Sequence, residues 1–218
     1  LLAPAILYAA WFLLARRGAA AADAAADGDG GPAPAAPATA AEDADSADHP
    51  AAPDQVQHEL VTTRADFDRW IAALTAAPMF AFDTETTSID AQRAVLVGVS
   101  FAIEPGHAAY VPVGHDYPGT PPQLPLADVL TALKPLLEDP KRPKIAQHGK
   151  YDLNVLTRYG IEIQGFAYDT MLESYVWNST ATLHNMDALA KKYLGVKTIH
   201  YEDVAGKGAR QISFSQVG

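Results

Sequence analysis

Two carboxylates spaced two residues apart, Asp83 and Glu85, end a short apolar run that begins at Met79. Side chains alternate between the two faces of an extended strand, so both carboxylates project to the same side. Two acids held this close repel each other unless a positive charge lies between them. Because Mg²⁺ and Mn²⁺ prefer carboxylate oxygens, the pair indicates a metal site. The simpler alternative is a strand that ends in a polar turn with two solvated acids.

A third acid, Asp152, follows a predicted strand at 144–147 and lies in the first turn of a predicted helix at 151–159. Taken alone, an acid in the first turn of a helix is explained by its favourable interaction with the helix dipole. Combined with Asp83 and Glu85, it could surround two metal ions, which lie about 3.5–4 Å apart in such centres. The three acids together are therefore the candidate chemical site.

The elements that must position these acids follow from hydrophobic periodicity and turn residues. Thr63 and Asn185 are predicted N-caps, and Gly160 and Gly195 are predicted helix ends. Strands followed by alternating helices and strands predict an α/β fold with a mixed sheet. The predicted strands are 79–83, 95–103, 108–113, 144–147 and 166–168, and the predicted helices are 65–76, 126–137, 151–159, 170–177 and one that begins at 186.

The N-terminal quarter of the chain has a different character. Residues 1–17 are an apolar segment ending in two arginines, too short for a comfortable membrane span of about 20 residues. Residues 18–57 are rich in Ala, Asp, Pro and Gly and predict a disordered linker, because they offer little apolar surface to bury. The folded domain is expected over 58–218, and a membrane-anchored protein is an alternative that rests on the first segment alone.

Composition narrows the chemistry but does not identify the partner. The chain has no cysteine, which excludes disulfides, thiolate catalysis and sulfur-ligated zinc, and is compatible with the cytoplasm. The net charge is −10, of which nine acids and two arginines in residues 1–60 supply −7 and leave −3 for the remainder. A mildly acidic domain can still bind nucleic acid, since bound cations invert the local field.

Residues 60–217 resemble the 3′–5′ proofreading exonuclease domain of bacterial DNA polymerase I, a DEDD exonuclease. Its first motif matches 82–86, and its second matches 148–152, with His148 where asparagine is common. Further similar stretches are 99–106, 169–175, 184–190 and 205–208. The resemblance implies an RNase H-like three-layer fold, in which helices flank a central mixed β-sheet.

The resemblance also implies a mechanism and a site. Two divalent ions, Mg²⁺ or Mn²⁺, would be held by Asp83, Glu85 and Asp152 for hydrolysis of the 3′-terminal phosphodiester of single-stranded DNA. A polymerase domain would be the partner in the full-length chain. The residues expected to contact nucleic acid are Thr84, Ile89, Gln147, His148, Lys150, Tyr151 and Tyr201. For Ile89 and Tyr201, core packing is the alternative explanation.

Two departures from the family keep other functions open. The family's third motif, Tyr-x-x-x-Asp, has no counterpart in the 218 residues, so a domain truncated at its C-terminus is expected. Leu183 stands where a basic residue near DNA is expected. The alternatives are a catalytically incomplete module that binds DNA or braces a polymerase, and an RNA-trimming relative within the superfamily.

The remaining charged residues have ordinary explanations. Asp169 and Glu173 are expected to cap or solvate a helix, because acids spaced i, i+4 on a helix are more often surface residues than ligands. Asp187 could be another first-turn acid. Lys207 and Arg210 could contact phosphates or simply form an exposed basic loop.

Overall fold

The computed structural model describes residues 57–180 and 183–218 as a sheet flanked by helices. The predicted apolar segment at 1–17, and all of the predicted linker except its last residue, lie outside the described residues. No helix in the described part of the chain is long and apolar enough to cross a membrane.

A mixed sheet forms the centre of the fold, with strand order β1-β4-β3-β2-β5-β6. Its strands are β1 Gln57–Leu60, β2 Phe80–Thr86, β3 Leu96–Glu104, β4 His107–Pro112, β5 Lys144–Ala146 and β6 Phe166–Asp169. Strands β2, β3 and β4 form an antiparallel meander, whereas β1 pairs parallel with β4, β5 with β2, and β6 with β5. The prediction of a mixed α/β sheet is therefore confirmed.

The sequence predicts five of the six helices of the described ranges, but not the short last one. They are α1 Arg64–Ala76, α2 Leu126–Leu137, α3 Lys150–Thr157, α4 Thr170–Trp177, α5 Met186–Leu194 and α6 Tyr201–Ala205. Two short 3₁₀ turns, Gly208–Arg210 and Phe214–Gln216, follow α6. The bounds of α2 and α4 are those predicted, and Asn185 caps α5 as expected.

The main core lies on one face of the sheet, between β2 and the first three helices. Phe80 and Phe82 of β2 point into it and meet Trp70 of α1, Leu133 of α2 and Val155 of α3. Ala81, the alternate residue of β2, belongs to a separate cluster of small side chains. The alternation that buries the phenylalanines thus turns the odd-numbered positions of β2 to the opposite face.

The predicted N-cap of α1 is confirmed, and it gives a test of the fold. The Thr63 hydroxyl accepts a hydrogen bond from the Asp66 backbone N–H, at 3.1 Å, and donates to the Asp66 carboxylate at 2.6 Å. We expect Thr63→Ala to lower the free energy of unfolding by about 1 kcal/mol, measured by urea denaturation. Thr75→Ala, an exposed threonine of the same helix, is the control and should be near neutral. Equal losses in both variants would contradict the capping role.

One boundary differs from the prediction in a way that matters for the site. β2 continues to Thr86 instead of ending at Asp83, because β3 pairs with it along its whole length. β5, in contrast, pairs with β2 only at Phe80 and Ala81. The edge of β2 beyond Ala81 is therefore free of a strand partner on that side.

Candidate active site

Asp83 and Glu85 lie inside β2, on the face opposite the main core. The register places Asp83 against Ser100 and Glu85 against Gly98 of β3, with a register shift immediately after Glu85. The two carboxylates are thus two positions apart on one face, as the alternation predicts. Being strand residues, they are held by the sheet and not by a flexible turn.

Asp152 reaches the same segment from α3. The carboxylate accepts hydrogen bonds from the backbone N–H and the hydroxyl of Thr84, at 2.9 and 2.5 Å. These bonds form where β2 has no strand partner, because β5 has ended and α3 begins four residues later. Asp152 is only 2% exposed. The structure therefore brings together the three acids that the sequence singles out, although Asp152 lies 69 residues after Asp83 in the chain.

Burial and mutual repulsion make all three carboxylates hard to ionise. Burial raises the pKa of Asp83 well above its ordinary range, and the neighbouring Asp152 and Glu85 raise it further. Burial and Asp152 raise the pKa of Glu85 to about 8. Burial also raises the pKa of Asp152 to about 7, although the bonds from Thr84 oppose the shift. Such a cluster of coupled acids is typical of a site that binds a cation.

One oxygen of this cluster lacks a partner. Glu85 Oε1 is buried and accepts no hydrogen bond. A buried acceptor left in this way is costly unless a ligand satisfies it. Within 57–180 and 183–218, however, no three His, Asp or Glu side chains are arranged as a closed ligand cage. The donor set fits a hard cation, but its ligands are not drawn together in advance.

A cavity of about 740 Å³ opens beside the acids. Six of the ten predicted site residues line it, namely Thr84, Glu85, Ile89, His148, Tyr151 and Tyr201. Asp83 and Asp152 lie next to Thr84 and Glu85 but do not line the cavity. The other two predicted residues, Gln147 and Lys150, are also absent from its walls.

The loop that carries Ile89 is held in place by α3. The Tyr151 hydroxyl contacts the Thr86 hydroxyl and donates to the Ser88 carbonyl. Farther along the loop, the Arg158 guanidinium donates to the Ala91 and Ala94 carbonyls. Ile89 itself is 99% exposed, which rules out core packing for this residue. A large apolar side chain is thus presented to solvent at the edge of the cavity on a fixed loop.

Tyr201 also lines the cavity, and the residue is 38% exposed. Its ring stacks on Phe214 with an interplanar angle of 20°, and its hydroxyl donates to the Ile212 carbonyl at 2.7 Å. Phe214 in turn packs against His115, whose ring contacts Tyr110 and Tyr117. The orientation of the Tyr201 ring is therefore set by an aromatic cluster that extends back to β4.

The segment between β5 and α3 has an unusual backbone. His148 has a φ of 59°, in the left-handed region where asparagine and histidine occur more often than most residues. The chain turns here so that the N–H groups of His148 and Gly149 can both donate to the Asp169 carboxylate, at 3.1 and 2.9 Å. This conformation gives a physical reason why the position accepts histidine in place of asparagine.

The remaining predicted contacts fall into two groups. The Gln147 amide donates to the His184 carbonyl at 3.0 Å and accepts from the Thr170 hydroxyl, so it ties the segment between β5 and α3 to the start of α4 and to the segment before α5. Lys150 is exposed on the first turn of α3, and Leu183 is 59% exposed. These positions leave the proposed nucleic-acid contacts of Gln147 and Lys150 as predictions.

The alternatives considered for the other acids are largely borne out. Asp169 caps α4 by accepting from the Met171 and Leu172 N–H groups, although it is buried instead of solvated. Asp187 is a first-turn acid of α5, as expected. Lys207 forms an ion pair with Glu202 at 2.6 Å.

Many of the other cavity-lining residues were not assigned to the site from the sequence. Besides Tyr201, the lining contains Met186, Asp187, Thr198, Ile199, His200, Gln211 and Phe214. Most of them lie in irregular segments, which give no periodic signal. The one sequence signal for them is that Thr198 and His200 stand next to Tyr201, which was already assigned to the site.

The sequence is similar to a known family and to several characterised proteins. The sequence model of a family described as 3′–5′ exonuclease matches residues 58–217. The DNA polymerase I of Pseudomonas aeruginosa is 59% identical over 165 residues, which are 75% of this chain and 18% of that protein. The DNA polymerase I of Rhizobium leguminosarum is 46% identical over 167 residues, which are 69% of this chain and 16% of that protein. The chain thus spans less than a fifth of the length of these relatives.

A solved structure gives the fold independently. Escherichia coli RNase D, described as an exoribonuclease involved in structured RNA processing, aligns with a TM-score of 0.52 and 21% identity. The alignment covers 74% of this chain and 40% of that one. At this level of identity the likeness concerns the fold alone, and it agrees with the RNase H-like architecture.

Proposed function

The chain belongs to the 3′–5′ exonuclease family and is similar to the exonuclease domain of bacterial DNA polymerase I, and on that premise we propose that residues 58–218 remove nucleotides from the 3′ end of single-stranded DNA. The products would be nucleoside monophosphates, and the biological role would be proofreading beside a polymerase domain. Residues 18–57 would serve as a linker. The cytoplasm, where chromosomal DNA is copied, is the proposed location.

The clustering of Asp83, Glu85 and Asp152 beside a cavity is the observation that carries this proposal. Three acids with raised pKa values and one buried oxygen without a partner fit a site for divalent cations. We assign Asp83, Glu85 and Asp152 to hold two such ions, Mg²⁺ or Mn²⁺. When bound, the ions would lower the pKa of a water molecule and stabilise the attacking and leaving oxygens.

The protein's own groups set the shape and protonation of the site. The two hydrogen bonds from Thr84 fix the orientation of Asp152 and favour its ionised form, which a cation requires. The sheet fixes Asp83 and Glu85 relative to β3. The chain therefore supplies acceptors on defined elements, and these acceptors must lose their protons before they can act as ligands.

The cavity walls suit a nucleotide of any base. Ile89 and Tyr201 present apolar and aromatic surface to the same cavity. Stacking on an aromatic ring accepts every base, because each base has a π-face. Since Phe214 already holds the Tyr201 ring, little ordering is needed when a base binds.

The test is degradation of a single-stranded oligodeoxynucleotide by the 218-residue chain in Mg²⁺ or Mn²⁺. A 5′-labelled strand should shorten step by step, whereas a 3′-labelled strand should release labelled mononucleotide at once. Chelation of the metal should stop both reactions. Internal cleavage would contradict the proposal, and DNA binding without degradation would favour the non-catalytic module. A faster reaction on a matched single-stranded RNA would favour the RNA-trimming alternative.

A further inference from the structure

A histidine and an aspartate form a pair in the lining of the cavity that also contains Glu85. His200 Nδ1 lies 2.8 Å from Asp187 Oδ2, and the other Asp187 oxygen accepts from the Thr198 hydroxyl. All three residues line the cavity. The side chains of His200 and Asp187 are about half exposed, at 51% and 42%, so solvent and ligands reach them.

The pair leaves one ring nitrogen available. An ionised carboxylate only accepts hydrogen bonds, so Nδ1 carries a proton that it donates to Asp187. Because Nδ1 makes the contact with Asp187, Nε2 is the ring nitrogen left to face a ligand. In the protonated imidazole Nε2 is also a donor, and the ring then carries a positive charge. The geometry thus orients a potential cationic donor in the cavity wall.

The ionisable groups near the imidazole determine how it can interact with the phosphates of DNA. The titratable groups near the imidazole are Asp187 of α5, Asp203 of α6, which accepts from the His200 N–H, and Glu85 and His148 elsewhere in the cavity lining. Lys150, although on α3, is not part of that lining. Together with His148, His200 is therefore one of two side chains in the lining that can become positively charged.

We propose that His200, oriented by Asp187, is a substrate-binding residue that donates a hydrogen bond from Nε2 to a phosphate oxygen of the bound single strand. The inference rests on the proposed function only in that it takes single-stranded DNA as the ligand. His200 acts through binding and takes no part in bond cleavage. Asp187 is a positioning residue, since it acts through the imidazole.

The test uses binding in a background that does not cut DNA. In the 218-residue chain carrying Asp83→Asn, the affinity for a short single-stranded oligodeoxynucleotide is measured in Mg²⁺ by fluorescence anisotropy. His200→Asn keeps a side-chain N–H at the position of Nδ1, so the bond to Asp187 can persist while the ionisable nitrogen is lost. We expect this variant to bind about tenfold more weakly at pH 6. The deficit should be smaller at pH 8 than at pH 6, because a neutral imidazole carries no positive charge toward a phosphate.

Two controls distinguish phosphate binding from a purely structural role. Thr198→Val removes the other hydrogen bond to Asp187 and leaves the imidazole, so it should change affinity less than twofold. An oligodeoxynucleotide with uncharged methylphosphonate linkages in its last three positions should bind the His200→Asn variant and its parent with similar affinity. Equal weakening by Thr198→Val, or a pH-independent deficit on both probes, would overturn the proposal. Because nothing is cleaved, the result stands whether or not the wild-type chain degrades DNA.

Discussion

Asp83→Ala is expected to lower metal-dependent degradation of single-stranded DNA by at least about a thousandfold. Asp83 lies on the same face of β2 as Glu85. It is also close enough to Asp152 for the charge of Asp152 to raise the pKa of Asp83. Removing Asp83 would deprive the proposed cations of one of their three carboxylate ligands. Loss of several kcal/mol of charge stabilisation in the transition state corresponds to a factor of this size. The measurement is the initial rate on a 5′-labelled strand, in Mg²⁺ and again in Mn²⁺.

Unfolding is not the expected cause of this loss. Asp83 is one of three acids whose burial and mutual repulsion disfavour the ionised state, so its removal should leave the metal-free fold equally or more stable. Asp128→Ala is the matched control, because Asp128 is an exposed acid in the first turn of α2, away from the cavity. The control should keep nearly full activity. If Asp83→Ala retained more than a tenth of the wild-type rate, the assignment of Asp83 to the metal site would be wrong.

The parts of the site that the sequence predicted are those governed by local rules. Alternation along a strand placed Asp83 and Glu85 on one face, and a side-chain pattern of six apolar residues fixed the bounds of α2. The caps Thr63 and Asn185 follow from their hydroxyl and amide acceptors. Grouping Asp152 with that strand was a hypothesis that the resemblance strengthened, because no local rule joins residues so far apart in the chain.

The features of the site that could not be predicted depend on where strands and helices end. Asp152 bonds to Thr84 only because β5 pairs with two residues of β2 and then ends. Likewise, the pair of Asp187 and His200 joins the start of α5 to an extended segment without periodicity. The backbone of His148 is set by two N–H groups that share one carboxylate, a tertiary demand that its own sequence does not reveal.

The three acids also give the protein a stability that depends on pH and metal. In the unfolded chain each carboxyl group titrates near pH 4, but in the fold the pKa of Glu85 is about 8, that of Asp152 is about 7 and that of Asp83 is raised. Between these values the folded state holds more protons than the unfolded state. The stability that the protonated acids contribute is therefore fully present below about pH 4. It is lost as the pH rises through the pKa values of the folded state.

Without divalent metal, we expect the free energy of unfolding to fall between pH 5 and 8, by about 1 kcal/mol per pH unit relative to Glu85→Gln. The comparison with Glu85→Gln removes contributions from groups that both proteins share, including His58 and His115, whose pKa values are lowered by burial and which act in the opposite direction. Urea denaturation in a chelating buffer at pH 5, 6, 7 and 8 gives both curves.

Divalent metal should reverse this loss in the wild-type protein. A cation that binds only the folded state adds stability that grows with its concentration, and ionised carboxylates are the form that binds it. Mg²⁺ should therefore stabilise the wild-type chain more at pH 8 than at pH 5, and Glu85→Gln much less at either pH. Parallel pH curves for the two proteins, with no response to Mg²⁺, would mean that the buried acids are not a cation site. The raised pKa values would then reflect burial alone, and the catalytic assignment of Asp83, Glu85 and Asp152 would lose its physical basis.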